Sequence, residues 1–102
     1  MFRVRLTASA RRQAIQSADW WAENRLDSKG LFVDELRAAI DQLANSPHSG
    51  QAYEAHGSAP SGVRRLLLWR SHFHVYYSVG SVHGLVVVRA IWHASRGRGP
   101  AL

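Results

Sequence analysis

A chain of 102 residues with 46% apolar side chains can bury one small core, so residues 1–102 are read as a single domain. The absence of cysteine excludes a disulfide scaffold and a thiolate metal site. Thirteen Lys and Arg against seven Asp and Glu leave a formal charge of +6, which points to an anionic partner: RNA, DNA or an acidic protein.

The opening residues MFRVRL place charges inside a short apolar stretch, which does not read as a signal peptide. No apolar run approaches the ~20 residues that cross a bilayer. A cytoplasmic protein without membrane contact is expected. Phe2, Val4 and Leu6 alternate with Arg3 and Arg5, the pattern of a first strand with one buried face.

Thr7 or Ser9 can cap a helix spanning about 8–26. Its apolar stripe runs through Ala14, Ile15, Ala18, Trp21 and Ala22, with Trp20 on the opposite side. Ser28 can cap a second helix over about 29–45, whose stripe is Phe32, Leu36, Ala39, Ile40 and Leu43. Pro47 marks its end. The two helices form a hairpin with a tight connection near Asp27 to Lys29. Phe32, Leu36, Ile40 and Leu43 are expected to be largely buried, together with Trp21. Trp20, Trp69 and Trp92 are placed in the core rather than at an interface.

Ser46 to Gly62 is rich in Pro, Gly and Ser and reads as loop, with His48 and His56 exposed in it. Val63 to Trp69 is the next strand, followed by a tight turn at Arg70 and Ser71. Val75 to Val79 and Leu85 to Trp92 are strand formers, and Gly80 and Gly84 bracket the turn of an antiparallel hairpin. The fold class is therefore α+β: an N-terminal strand, an α-helical hairpin, then a three-stranded antiparallel meander forming one sheet. The helices cover one face, and the other face is free to bind.

Alternation assigns the polar residues to faces. Phe73, Val75, Tyr77 and Val79 oppose His74, Tyr76 and Ser78. On the last strand Leu85, Val87, Arg89, Ile91 and His93 are expected to oppose Val86, Val88, Ala90 and Trp92. Arg64 and Arg65 point to opposite faces. Arginines on an open sheet face can grip phosphates bidentately. Arg64, Arg65, Arg89, His93 and Arg96 are the candidate target-binding residues.

Neither metal nor cofactor is expected. His72, His74 and His93 are the only conceivable ligand set, and no carboxylate stands at a ligand-like spacing nearby. There is no G-x-S-x-G elbow, and GSAPSG lacks the lysine of a phosphate loop.

Several segments together resemble the RelE/ParE superfamily of bacterial toxins from type II toxin–antitoxin systems. They are FRVRLTASA, LANSPHSG, VRRLLLW, SHFHVYYSV and LVVVRAIWHASR, in this order along nearly the whole chain. The resemblance implies a strand–helix–helix–three-strand fold and a growth-inhibiting toxin held inactive by a cognate antitoxin. An antitoxin helix would pack along the helical hairpin, and an antitoxin strand would extend the sheet edge. The basic charge suits an acidic antitoxin segment.

Two activities occur in this superfamily. RelE-like members cleave mRNA on the ribosome, and ParE-like members poison DNA gyrase. The RelE-like arginines are replaced by His74 and Ala94, and the tail GRGPAL lacks a tyrosine. These departures favour the ParE-like branch, with gyrase as target. The alternatives are a ribosome-dependent endoribonuclease and a decayed module that only binds. In a nuclease, His74 or His93 would serve as base or acid, and Arg65 and Arg89 would stabilise the phosphorane.

Overall fold

The computed structural model describes residues 1–54 and 62–102; His56 and most of GSAPSG lie outside that range. Strand β1 (Arg3–Leu6) leads into helix α1 (Ala8–Asn24), a 3₁₀ turn (Leu26–Ser28) and helix α2 (Leu31–Asn45). Strands β2 (Gln51–Ala52), β3 (Val63–Leu68), β4 (Phe73–Gly80) and β5 (Leu85–His93) follow. All lie in one sheet of order β1-β5-β4-β3-β2. β1 runs parallel to β5, and every other pair is antiparallel. The expected α+β architecture is present, with the two-residue β2 added inside the stretch read as loop.

Local chemistry sets the helix ends. Thr7 caps α1, its Oγ1 accepting from the Ala10 amide at 3.0 Å. Ser28 does not cap α2. It sits in the 3₁₀ turn, where its carbonyl accepts from Trp21 Nε1 at 2.8 Å, and α2 starts after Gly30 with no side-chain cap. The connection is longer than expected because the Trp21 indole pins it to α1. Both helices are correspondingly shorter at that end.

The helices and one sheet face enclose the main core. Phe32, Leu43, Val75, Tyr77, Val86 and Val88 are completely or almost completely buried there, and Trp21 nearly so. Leu36 and Ile40 are only half-buried, against expectation. Both lie on the flank of α2, whose central line, Phe32, Ala39 and Leu43, faces the sheet. Ile15 is exposed for the same reason on α1. Trp20 and Trp69 are also exposed, not core residues.

Two polar contacts tie the layers together. Glu35 on α2 accepts from the amides of Arg70 (3.0 Å) and Ser71 (2.7 Å), so its carboxylate caps the β3–β4 turn. The buried Tyr77 hydroxyl accepts from the Gly50 amide at 2.9 Å. A Cβ on Gly50 would lie 2.6 Å from that hydroxyl, so only glycine fits. The β3–β4 turn ends at His72, which takes a left-handed φ of 62° before the strand begins. His72 and His74 therefore do not share a strand face.

A β-bulge corrects the expected alternation of β5. Tyr76 pairs with Ala90 and Tyr77 with Val88, leaving Arg89 as an extra residue. Beyond it the faces invert. Val86, Val88, Ile91 and His93 lie on the helix side, and Leu85, Val87, Arg89, Ala90 and Trp92 lie on the open side. Arg89 and His93 are thus on opposite faces.

Replacing Glu35 by Ala strands two amides and should destabilise the fold by about 2 kcal/mol. Tyr77→Phe strands the buried Gly50 amide and should lose about 1–3 kcal/mol. Urea unfolding of each variant checks these values. Wild-type stability in both would remove the proposed layer contacts.

Candidate functional site

The open face is basic and aromatic. On β1, Val4 and Leu6 turn to the core, which leaves Arg3 and Arg5 exposed on the open side. Arg65 on β3 and His74 and Tyr76 on β4 lie on the same side, as does Arg89 from the bulge. Arg89 Nε donates to Ser78 Oγ at 2.9 Å, which fixes its direction.

A second, smaller cluster floors this face. Val63, Tyr76 and Ala90 are buried, with Tyr53, Trp92 and Leu102 packed against them. Tyr53, just past β2, is held by its amide bond to the Val63 carbonyl (2.9 Å) and meets Tyr76 edge-on at 4.8 Å. The segment after β5 folds back over this floor. Trp92 Nε1 donates to the Arg98 carbonyl at 2.8 Å, and Pro100 is buried. Gly99 lies so close to Tyr53 that a Cβ would sit 2.5 Å from its hydroxyl.

Between floor and segment lies a cavity of about 130 Å³, lined by Tyr53, Arg65, His74, Trp92, Arg96 and Arg98 among others. No Asp or Glu lines it. The Arg65 guanidinium sits 5.1 Å from the centre of Tyr53 and 6.0 Å from that of Tyr76. The Arg96 guanidinium sits 4.0 Å over Trp92. Such stacking orients a guanidinium while leaving its edge donors available.

The expected site residues divide. Arg65 and Arg96 share the cavity, with His93 at its lip. Arg89 shares the face but does not line the cavity. Arg64 is elsewhere: its Nη1 donates to the Gly50 (2.8 Å) and His48 (3.3 Å) carbonyls and fastens the chain before β2. His93 packs edge-on against Phe73 at 4.9 Å, with Nδ1 2.6 Å from Ser95 Oγ. It also borders a wider groove of about 710 Å³ between α1 and the end of β5, where Trp20 and Arg25 are exposed. Among the described residues, no group of three His, Asp or Glu side chains is placed to hold a metal.

Both imidazoles lie below the ordinary 6.5. Burial lowers His74 most, and the Arg65 charge adds to it. Burial also leads for His93, followed by His72, Arg96 and Arg25.

Tyr53, Arg98 and the returning segment were not among the sequence candidates. A signal for Arg98 and the returning segment exists, though none for Tyr53: all seven acidic residues fall between Asp19 and Glu54, so everything after Glu54 is free of negative side chains. That one-sided distribution leaves β3 to Leu102 with basic charges alone.

Comparison with known proteins agrees with the fold. The model of the ParE toxin family, described as the ParE toxin of the type II toxin–antitoxin system parDE, matches residues 4–97. The chain belongs to this family. The toxin is similar to a solved chain of the chromosomal ParDE system of P. aeruginosa, with 18% identity and TM-score 0.70 over 93% of this chain and 98% of that one. It is also similar to a chain of the RelBE2 toxin–antitoxin complex of Mycobacterium tuberculosis (20%, TM-score 0.65, 92% and 93% covered). A third likeness is to the intact E. coli RelBE complex (16%, TM-score 0.59, 94% and 100% covered). At these identities the likeness is one of fold. No curated relative matches.

The lowered imidazoles give the toxin a pH dependence of known sign. The unfolded chain binds protons that the folded one resists, so this stabilisation is full above about pH 6.5. It is lost as pH falls from there through the lowered folded values. Urea midpoints should drop on moving from about pH 7.5 to about pH 5.5. His74→Asn and His93→Asn should each flatten the drop. An unchanged pH profile in the double variant would contradict the assignment.

Proposed function

We propose that the toxin arrests growth by poisoning DNA gyrase in the cytoplasm and is neutralised by a cognate acidic antitoxin. The observation that carries this reading is the make-up of the open-face cavity. Phosphodiester cleavage needs a base, an acid and positive charge converging on one phosphate. The cavity gathers Arg65, Arg96 and Arg98 with His74 and His93, while Arg89 stands apart from it. Burial lowers both imidazoles, which favours their neutral form and disfavours a histidine acid. Ala94 follows His93, and the residues beyond add no tyrosine. What remains is a cationic, aromatic surface suited to binding. Membership of the ParE family supports the same direction.

The antitoxin reading rests on other features. β2 covers only Arg64 and Arg65 of β3, so the edge from Leu66 to Leu68 is unpaired among the described residues. Leu67 and Trp69 are exposed beside it. An added strand with apolar side chains and flanking carboxylates would satisfy that edge.

Purified toxin should inhibit gyrase supercoiling and leave ribosome-bound mRNA intact. Arg65→Ala and Arg96→Ala should weaken the inhibition. Cleavage of A-site mRNA that is abolished by His74→Ala or His93→Ala would overturn the reading in favour of a nuclease.

A further inference from the structure

The charge of the open face is strongly one-sided. Three of its strands contribute cations and none contributes an acid: Arg3 and Arg5 from β1, Arg89 from β5 and Arg65 from β3. The returning segment adds Arg96 and Arg98. Six of the seven acids, Asp19 to Asp41, are instead on the helices and their connection; the seventh, Glu54, adjoins Tyr53 outside the cavity lining. The helices and their connection set these six acids against five cations (Arg11, Arg12, Arg25, Lys29 and Arg37), so the net positive charge of the protein lies on the sheet and the segment after it.

Solubility would not need such an arrangement, nor would it need stacked guanidinium groups. Arg65 over Tyr53 and Arg96 over Trp92 are held in place before any ligand arrives. A preorganised guanidinium loses less entropy on binding and suits bidentate contact with a tetrahedral oxyanion. The cavity between them, about 130 Å³, is large enough for one phosphate group. Tyr53 and His74 are among its lining residues, and both side chains are of types that hydrogen-bond phosphate oxygens. β1 and β3 are three strand spacings apart, about 14 Å. That is close to the ~12 Å width of the DNA major groove, so one duplex can meet both ends of the face.

The cavity is not made by the sheet alone. Arg98 and Gly99 form part of its wall, and they are held there by the Trp92–Arg98 bond and by Leu102 packed against the cluster of Val63, Tyr76 and Ala90. Gly99 permits the close approach to Tyr53.

We infer that the cavity between Arg65 and Arg96 is a phosphate-binding site for nucleic-acid backbone, and that the segment after β5, anchored by Leu102, completes it. The ligand chemistry is a phosphodiester. The choice of duplex DNA as its source rests on the gyrase reading. The site would let the toxin hold the DNA that gyrase is passing, as well as the enzyme.

Fluorescence anisotropy with a labelled DNA duplex, and with an RNA duplex of the same sequence, tests this, read beside a gyrase supercoiling assay. Wild-type toxin should bind DNA with an affinity that falls linearly in log salt. Arg65→Ala and Arg98→Ala should each weaken binding several-fold and lower the salt slope by about 1. Arg37→Ala, on α2, should change neither. Leu102→Asp should weaken binding with an unchanged far-ultraviolet circular dichroism spectrum, because the anchor lies outside the main core. Equal losses from Arg37→Ala and Arg65→Ala would overturn the site, as would unaltered binding in Leu102→Asp for the role of the segment. A toxin that inhibits gyrase but binds no duplex would remove the phosphate site and leave the gyrase reading standing. One that binds duplex, RNA in preference to DNA, without affecting gyrase would keep the phosphate site and remove that reading.

Discussion

One extra residue in β5 decides which side chains can work together. Without the bulge at Arg89, strict alternation would carry Arg89 and His93 to one face and Val86, Val88, Ala90 and Trp92 to the other. With it, Val86 and Val88 keep their place in the main core, and Ala90 and Trp92 turn outward. Trp92 then supplies a second apolar floor on what would otherwise be a bare polar face. The segment after β5 has something to dock on only because that indole is there. The cavity, its two stacked arginines and the separation of His93 from Arg89 all follow from that inversion.

The rest of the molecule serves to hold this face steady. β4 is the middle strand, and its Tyr77 hydroxyl reaches the Gly50 amide to bind the chain before β2. Arg64 grips the same stretch through two carbonyls. Together these contacts position Tyr53, and through it the stacking of Arg65. On the other side of the sheet, Glu35 clamps the β3–β4 turn to α2. The helical layer therefore contributes rigidity and little net charge, and the open layer contributes the positive surface. The proposed acidic antitoxin and the proposed polyanionic target would draw on the same positive surface.

Much of this was legible in the sequence. The alternation of Phe2, Val4 and Leu6, the stripe of Phe32, Ala39 and Leu43, and the glycine-bracketed hairpin gave the element order, since each reflects a single dominant periodicity. The face of His74 and Tyr76 followed from the same rule. The bulge did not, because nothing in LVVVRAIWH marks one residue as unpaired; only the cross-strand register does. Ser28 was a plausible cap, yet the indole of Trp21 claimed its carbonyl. The half-exposure of Leu36 and Ile40 could not be read from apolarity, because the helix packs on the sheet along a narrower line than its stripe. Arg65 and Arg96, both named from the sequence, come together at the open-face cavity, whereas Arg64 bridges carbonyls of the neighbouring loop. Tyr53 and Arg98 lie far apart in sequence and meet only through the docked segment.

The inverted face can be observed directly through proton–proton nuclear Overhauser contacts of the isolated toxin in solution. The Trp92 indole should show contacts to Arg96, Arg98 and the cluster of Val63, Tyr76 and Ala90, while the His93 ring shows contacts to Phe73. Contacts from Trp92 to Phe73 and Phe32, with His93 instead beside Tyr76, would mean regular alternation through Arg89, and the open-face site as described would not exist.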